Sequence, residues 1–121
     1  MRSKNSPISY QLHLVLEKST VITVGKLGRF AFPAGKYVYT GSARRNMAAR
    51  VARHLAISKP MRWHIDYLLS HPHCRVLAVS TFTETECEVN RLVEGAIIAP
   101  GFGSTDCRNG CGSHLKHTAR L

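Results

Sequence analysis

The sequence predicts an α+β domain: a small antiparallel sheet, mixed at most, that includes a hairpin and is flanked by about three helices. Three observations carry that expectation. A run of period-two alternation spans residues 8–16, short β-branched and aromatic runs follow it, and helical spacing begins only after Gly41. Strands gathered first and helices later argue against a doubly wound parallel sheet. At 121 residues the chain has the size of one domain with one core, here residues 8–121, preceded by a flexible basic leader over residues 1–7.

In the first run Ile8, Tyr10, Leu12, Leu14 and Leu16 share a face, as in a strand with one side in the core. Glu17 to Thr20 reads as a polar turn, Val21 to Val24 as a second strand, Gly25 to Gly28 as another turn, and Arg29 to Phe32 as a third strand. Pro33-Ala34-Gly35 breaks the chain, and Lys36 to Thr40 is expected to complete an antiparallel sheet with these strands. Beyond Gly41, with Ser42 or Asn46 as cap, a helix to about Ile57 is expected to bury Met47, Val51 and Leu55.

A second helix covers Met61 to Ser70, with Ile65, Leu68 and Leu69 inward and Trp63 as core or helix anchor; Cys74 to Phe82 is a further strand. Thr83 or Thr85 caps a third helix whose early acids suit a helix N-terminus and whose stripe is Val89, Leu92 and Val93. Ala96 to Ala99 reads as a short strand, Pro100 to Cys107 as a glycine-rich loop, and the rest as a tail with Cys111, His114 and His117.

Charge is unevenly spread. Net charge is +10, yet residues 1–62 hold 12 Lys or Arg against the single acid Glu17, whereas residues 63–121 hold 5 basic and 6 acidic residues. A one-sided basic field attracts a polyanion, and nucleic acid is the leading partner. Lys36, Arg44, Arg45 and Arg53 are the candidate nucleic-acid contacts. No apolar run approaches the ~18 residues of a membrane span, and residues 1–7 lack the apolar segment of a secretory signal. A cytoplasmic protein with reduced cysteines is therefore expected.

Hydrolysis of a phosphodiester needs an activated water, a cation at the phosphate and donors for the developing charge. Tyr37 and Tyr39 share a strand face that would meet Tyr10 across the sheet, while Arg50 and His54, four apart, project from one helix face as phosphate clamp and proton-transfer group. A tyrosine near its ordinary pKa of about 10 is a poor base unless a metal or cation lowers it.

Tyr39-Thr40-Gly41-Ser42-Ala43 followed by Arg50-Val51-Ala52-Arg53-His54-Leu55 resembles the second half of the GIY-YIG nuclease signature. With Trp63 to Leu68, Glu86-Cys87-Glu88, Gly101 to Cys107 and Ser113-His114-Leu115, the chain is similar to a little-characterised branch of that superfamily, found as stand-alone proteins and fused to base-excision glycosylases. The resemblance implies a three-stranded antiparallel sheet with helices around it, and DNA hydrolysis assisted by one divalent metal, Mg²⁺ or Mn²⁺, in repair or recombination. It also assigns Tyr10, Tyr39, Arg50, His54 and His64 to catalysis and a glutamate of the third helix to the metal: Glu86, with Glu88 next and Glu94 in reach. The chain departs from the pattern in three places. The first motif, Ile8-Ser9-Tyr10, lacks its glycine, so Tyr37 competes with Tyr10; the segment between Tyr10 and Tyr39 carries the extra hairpin; and the asparagine that usually follows the third helix has no counterpart.

Cys107, Cys111 and His114 suggest a structural zinc site, with Cys87, Cys74 or His117 as the fourth ligand; Asp106 would alternatively assist the active-site metal. The expected function is a divalent-metal-dependent endonuclease. Its rivals are an inactive nucleic-acid-binding module of the same fold and a zinc-stabilised adaptor.

Overall fold

The computed structural model describes residues 6–104, 107 and 110–120. The first five residues of the expected leader, and Asp106, lie outside these. The elements are β1 (Ser9–Leu16), β2 (Thr20–Val24), β3 (Gly28–Phe32), β4 (Gly35–Ser42), α1 (Met47–Leu55), α2 (His64–Leu69), β5 (Cys74–Phe82), α3 (Glu86–Arg91) and β6 (Leu115–Arg120). They form the expected α+β architecture.

A four-stranded sheet has the order β5-β1-β4-β6, and its pairings are all antiparallel. Alternation explains the place of β1. Tyr10, Leu12, Leu14 and Leu16 are at most 2 % exposed, and burying each such side chain contributes about 1.5–3 kcal/mol. Ser9, Gln11 and Val15, on the other face, are buried too, as befits a strand paired on both edges.

The hairpin departs from expectation, because β2 and β3 pair only with each other. Pro33, which has no amide to donate, separates β3 from β4, and both edges of β1 are occupied by β4 and β5. The hairpin still closes the core, through Ile22, Val24 and Phe32. The sheet also has four strands where the resemblance implied three. The addition includes β6, within what the sequence reads as a tail: Leu115 is its one buried side chain, so it has too little apolar pattern to be read as a strand.

Asn46 is the N-cap of α1 in the left-handed conformation (φ 54°), and its carbonyl accepts the Arg50 amide at 3.0 Å; its side chain makes no cap bond. The helix stops at Leu55, where Lys59 donates to the carbonyls of His54 and Ala56. The expected stripe is rotated: Met47 and Val51 pack on the core, but His54 is buried and Leu55 is 51 % exposed. At α3, similarly, Leu92 is the C-cap and 82 % exposed, while Cys87, Val89 and Asn90 within the helix are buried. The Thr85 side chain caps α3 by accepting the Glu88 amide at 3.3 Å. The expected strand over Ala96 to Ala99 reduces to one bridge between Ala96 and His117. Among the described residues no helix is long and apolar enough to cross a membrane.

Candidate active site

The register of β1 against β4 builds the floor of a cleft. Tyr10 stands opposite Gly41 and Leu12 opposite Tyr39, so the two tyrosines lie diagonally on one sheet face with ring centroids 6.4 Å apart. A Cβ on Gly41 would come within 2.5 Å of Cζ and Oη of Tyr10. The glycine is there because the Tyr10 ring covers its α carbon.

The Tyr10 hydroxyl and His54 Nε2 share a 2.6 Å hydrogen bond inside the protein. That bond is the reason α1 turns His54 inward in place of Leu55. Burial drives the His54 pKa down to about 4, helped by the nearby Arg53, Arg50 and Lys59 and opposed by Asp66. His54 is therefore a neutral ring wedged behind Tyr10, with Tyr39 and Trp63 on its flanks, and it does not line the cleft.

Tyr10, Tyr39, Arg50, His64 and Glu86 all line one cleft of about 400 Å³, together with Gly41, Ser42, Arg62, Trp63, Gly103, Cys107 and His114. Burial raises the Tyr10 pKa to about 12 despite the Arg50 guanidinium beside its hydroxyl, and burial with the neighbouring Tyr10 and Glu86 raises that of Tyr39 further. Both phenols keep their protons at neutral pH. Tyr37, by contrast, gives its hydroxyl to the Pro33 carbonyl and stacks on His117, outside the cleft lining.

Arg50 reaches the cleft across the face of Trp63, 4.8 Å from the ring centroid; Arg53 lies over the same indole at 4.2 Å. Their fates then differ. Arg53 donates twice to the buried carboxylate of Asp66, at 2.9 and 3.0 Å, and once to the Pro60 carbonyl. Asp66 also accepts the amides of Arg62 and Trp63. Burial raises the Asp66 pKa, but the Arg53 and backbone hydrogen bonds outweigh it and hold the carboxyl below its ordinary range. Arg53 is thus committed to an internal pair that fixes α1, Trp63 and α2 together.

His64 Nδ1 accepts the Gly103 amide at 2.9 Å, so its Nε2 carries the ring proton. Burial lowers its pKa and favours that neutral form. Gly103 has φ +66°, and a Cβ there would meet the Tyr39 ring at 3.0 Å; this loop glycine fits both tyrosine and histidine.

Of the candidate glutamates, Glu86 lines the cleft, whereas Glu88 and Glu94 are exposed and outside its lining. Arg44 and Arg45 are exposed in the loop that leaves Ser42 at the cleft edge. Lys36 is exposed near the start of β4, about 17 Å along the strand from Gly41 at the rise of an extended chain. Arg62, Trp63 and Gly103 were not among the site residues expected from sequence. The Arg62-Trp63 pair, whose tryptophan is the N-cap of α2, is the available signal.

A second group adjoins the cleft. The ligand atoms of Cys87, Cys107, Cys111 and His114 all lie within 4.8 Å of one another, a Cys/His cluster with the donors for a metal ion such as zinc. Cys74 is apart from it, under the core. His114 Nδ1 approaches Glu86 Oε2 at 3.4 Å, and although burial lowers the histidine pKa, the carboxylate and Cys107 raise it above its ordinary value on balance.

A family model described as Domain of unknown function DUF123 matches residues 9–121. The chain belongs to this DUF123 family. The match takes in β1 through β6, so the cleft and the Cys/His cluster both lie inside the DUF123 domain. No curated protein and no solved structure matches the chain.

Proposed function

We propose that this DUF123 domain is a GIY-YIG-like endonuclease that hydrolyses DNA phosphodiester bonds with the help of Mg²⁺ or Mn²⁺, in repair or recombination. The observation that carries the reading is the convergence of Tyr10, Tyr39, Arg50, His64 and Glu86, from five different elements, on one cleft. A single hard carboxylate in an open cleft suits Mg²⁺, which keeps most of its waters and takes further oxygens from a phosphate. When bound at Glu86, such a cation supplies Lewis-acid charge at the scissile phosphate and acidifies the attacking water.

The chain's own groups divide the remaining work. Tyr10 and Tyr39, both protonated, hold the attacking water and a phosphate oxygen through their hydroxyls. Arg50, steadied on Trp63, faces the charge that develops on phosphorus. His64 donates Nε2–H to a phosphate oxygen or to the leaving oxygen. His54 acts one step back, holding the Tyr10 hydroxyl. Arg44 and Arg45 track the flanking backbone, while Arg53 contributes through Asp66 and Trp63. The Cys/His cluster serves a separate, structural zinc ion, because thiolates favour zinc over Mg²⁺ or Mn²⁺.

The test is cleavage of supercoiled plasmid and of branched or flapped DNA with Mg²⁺ and with Mn²⁺, comparing the native protein with Tyr39→Phe and Arg50→Ala. Nicking that depends on the metal and falls at least 100-fold in both variants is expected. No cleavage of any substrate by the folded native protein would leave the inactive DNA-binding module as the reading, and equal cleavage by the variants would assign the activity to a contaminant.

A further inference from the structure

Cys87 comes from α3, Cys107 and Cys111 from the long connection between α3 and β6, and His114 from the residue before β6. Cys87 Sγ lies 3.5 Å from Cys107 Sγ and 4.0 Å from His114 Nε2, and all four ligand atoms fall within 4.8 Å. In a tetrahedral zinc site with Zn–S of about 2.3 Å and Zn–N of about 2.0–2.1 Å, ligand atoms stand about 3.4–3.8 Å apart. The cluster has the size and donor set of a closed Cys₃His site. A disulfide requires sulfurs at about 2.05 Å, and no disulfide joins any of the four cysteines.

Both ends of the cluster reach the cleft. His114, with Nε2 turned to the sulfurs, has Nδ1 facing Glu86 Oε2 at 3.4 Å, the arrangement in which an outer carboxylate orients a metal-bound imidazole. Glu86 is also the residue before Cys87. On the other side Phe102, buried at 0 %, accepts the His114 amide at 2.8 Å, and Gly101 donates to Gly112. Next to Phe102, Gly103 donates to His64. Among its described residues this connection of more than 20 residues holds little regular structure, and ordered loops of that length are uncommon outside functional segments.

We infer that Cys87, Cys107, Cys111 and His114 bind one zinc ion, and that this ion positions two cleft groups: Glu86 through His114 and Cys87, and His64 through the loop that carries Gly103. Zinc is then a positioning element for the cleft. The ligand set stands on the cluster alone; the consequence for activity rests on the nuclease reading.

The experiment begins with metal analysis of protein purified from zinc-replete cells. One zinc per chain is expected in the native protein and in Cys74→Ser, and loss of it in Cys107→Ser and Cys111→Ser. To keep the test independent of the folding of ligand variants, the native protein is also stripped with a strong chelator and titrated with Co²⁺. Thiolate-to-cobalt charge-transfer bands and intense tetrahedral d–d bands, abolished by one equivalent of Zn²⁺, are expected. Hydrogen exchange of loop residues 99–114 should slow at least tenfold on zinc return, with protection extending to His64 and Glu86. Folded protein that holds no zinc and takes up no Co²⁺ overturns the site, as does stoichiometric zinc retained in both cysteine variants. Protection confined to the four ligands overturns the positioning role. These readouts are independent of cleavage, so a zinc-loaded protein that cuts no DNA counts against the nuclease reading alone.

Discussion

Gly41→Ala puts the tyrosine pair to a quantitative test. The added Cβ would sit 2.5 Å from Cζ and Oη of Tyr10 and 3.0 Å from Cε1, well inside van der Waals contact. The ring cannot easily step aside, because it is 2 % exposed and its hydroxyl is tied to His54 at 2.6 Å. Overpacking of this kind costs about 1–3 kcal/mol, and drawing Tyr10 away from His54 adds about 0.5–1.5 kcal/mol for the lost hydrogen bond. We expect destabilisation of about 2–4 kcal/mol in urea denaturation at neutral pH, at an unchanged slope. Tyr10→Leu also destabilises, by cavity and by loss of the His54 bond, but it removes the obstacle. In the double variant the costs should therefore fall short of additivity by at least about 1 kcal/mol. A Gly41→Ala cost below about 0.5 kcal/mol, or strict additivity, would refute the packing of Tyr10 on Gly41.

His54 makes stability pH-dependent. With its pKa pushed down to about 4 in the folded protein against about 6.5 unfolded, its contribution is complete above pH 6.5 and declines as pH falls toward 4. The loss amounts to about 3 kcal/mol, and it should appear as a fall, with falling pH, in the stability difference between native protein and His54→Gln; a flat difference across pH 4–7 contradicts the buried neutral imidazole. Asp66→Asn leaves Arg53 without its anionic partner and should cost about 3–5 kcal/mol, read as a fall in melting temperature, while a loss under 1 kcal/mol would deny the internal pair. In DNA-binding titrations against salt, Arg44→Ala and Arg45→Ala should each lower the slope by about 1. Lys36→Ala, at the other end of β4, should not, and an equal effect from all three would place the DNA elsewhere.

The parts of the fold written in alternation were legible. Tyr10 to Leu16 reads as a strand because one side of it is apolar, whereas Gly41 reads as the end of its strand and in fact lies within β4, paired with Tyr10, whose ring covers it. Pairings over long sequence distances were not: β1 meets β4 in preference to the adjacent hairpin, and no local pattern records that choice. In α1 a spacing of four fits Met47, Val51 and Leu55 as well as any apolar face. His54 wins the buried position through a hydroxyl on another element, a polar reason that hydrophobic periodicity cannot carry. The strand from Leu115 is concealed for the opposite cause, having one buried side chain and a half-buried to exposed, mostly polar remainder.

The candidate site divides in the same way. The resemblance to the GIY-YIG signature names Tyr10, Tyr39, Arg50, His64 and Glu86, which line the cleft, and His54, which does not. The choice of Glu86 over Glu88 was open in sequence and depends on the helical phase set by Thr85. The fourth member of the Cys/His cluster was equally open among Cys87, Cys74 and His117. Cys87 joins it because α3 packs beside the end of β4, which no spacing between cysteines encodes.

The central claim, that Glu86 is the carboxylate of a metal-dependent nuclease cleft, is most directly tested by plasmid nicking with the pair Glu86→Gln and Glu88→Gln at saturating Mn²⁺. Glu86→Gln, zinc-loaded and folded, is expected to lose at least 100-fold in rate while Glu88→Gln stays within a factor of about three of the native protein. Comparable rates for Glu86→Gln and the native protein would contradict that claim.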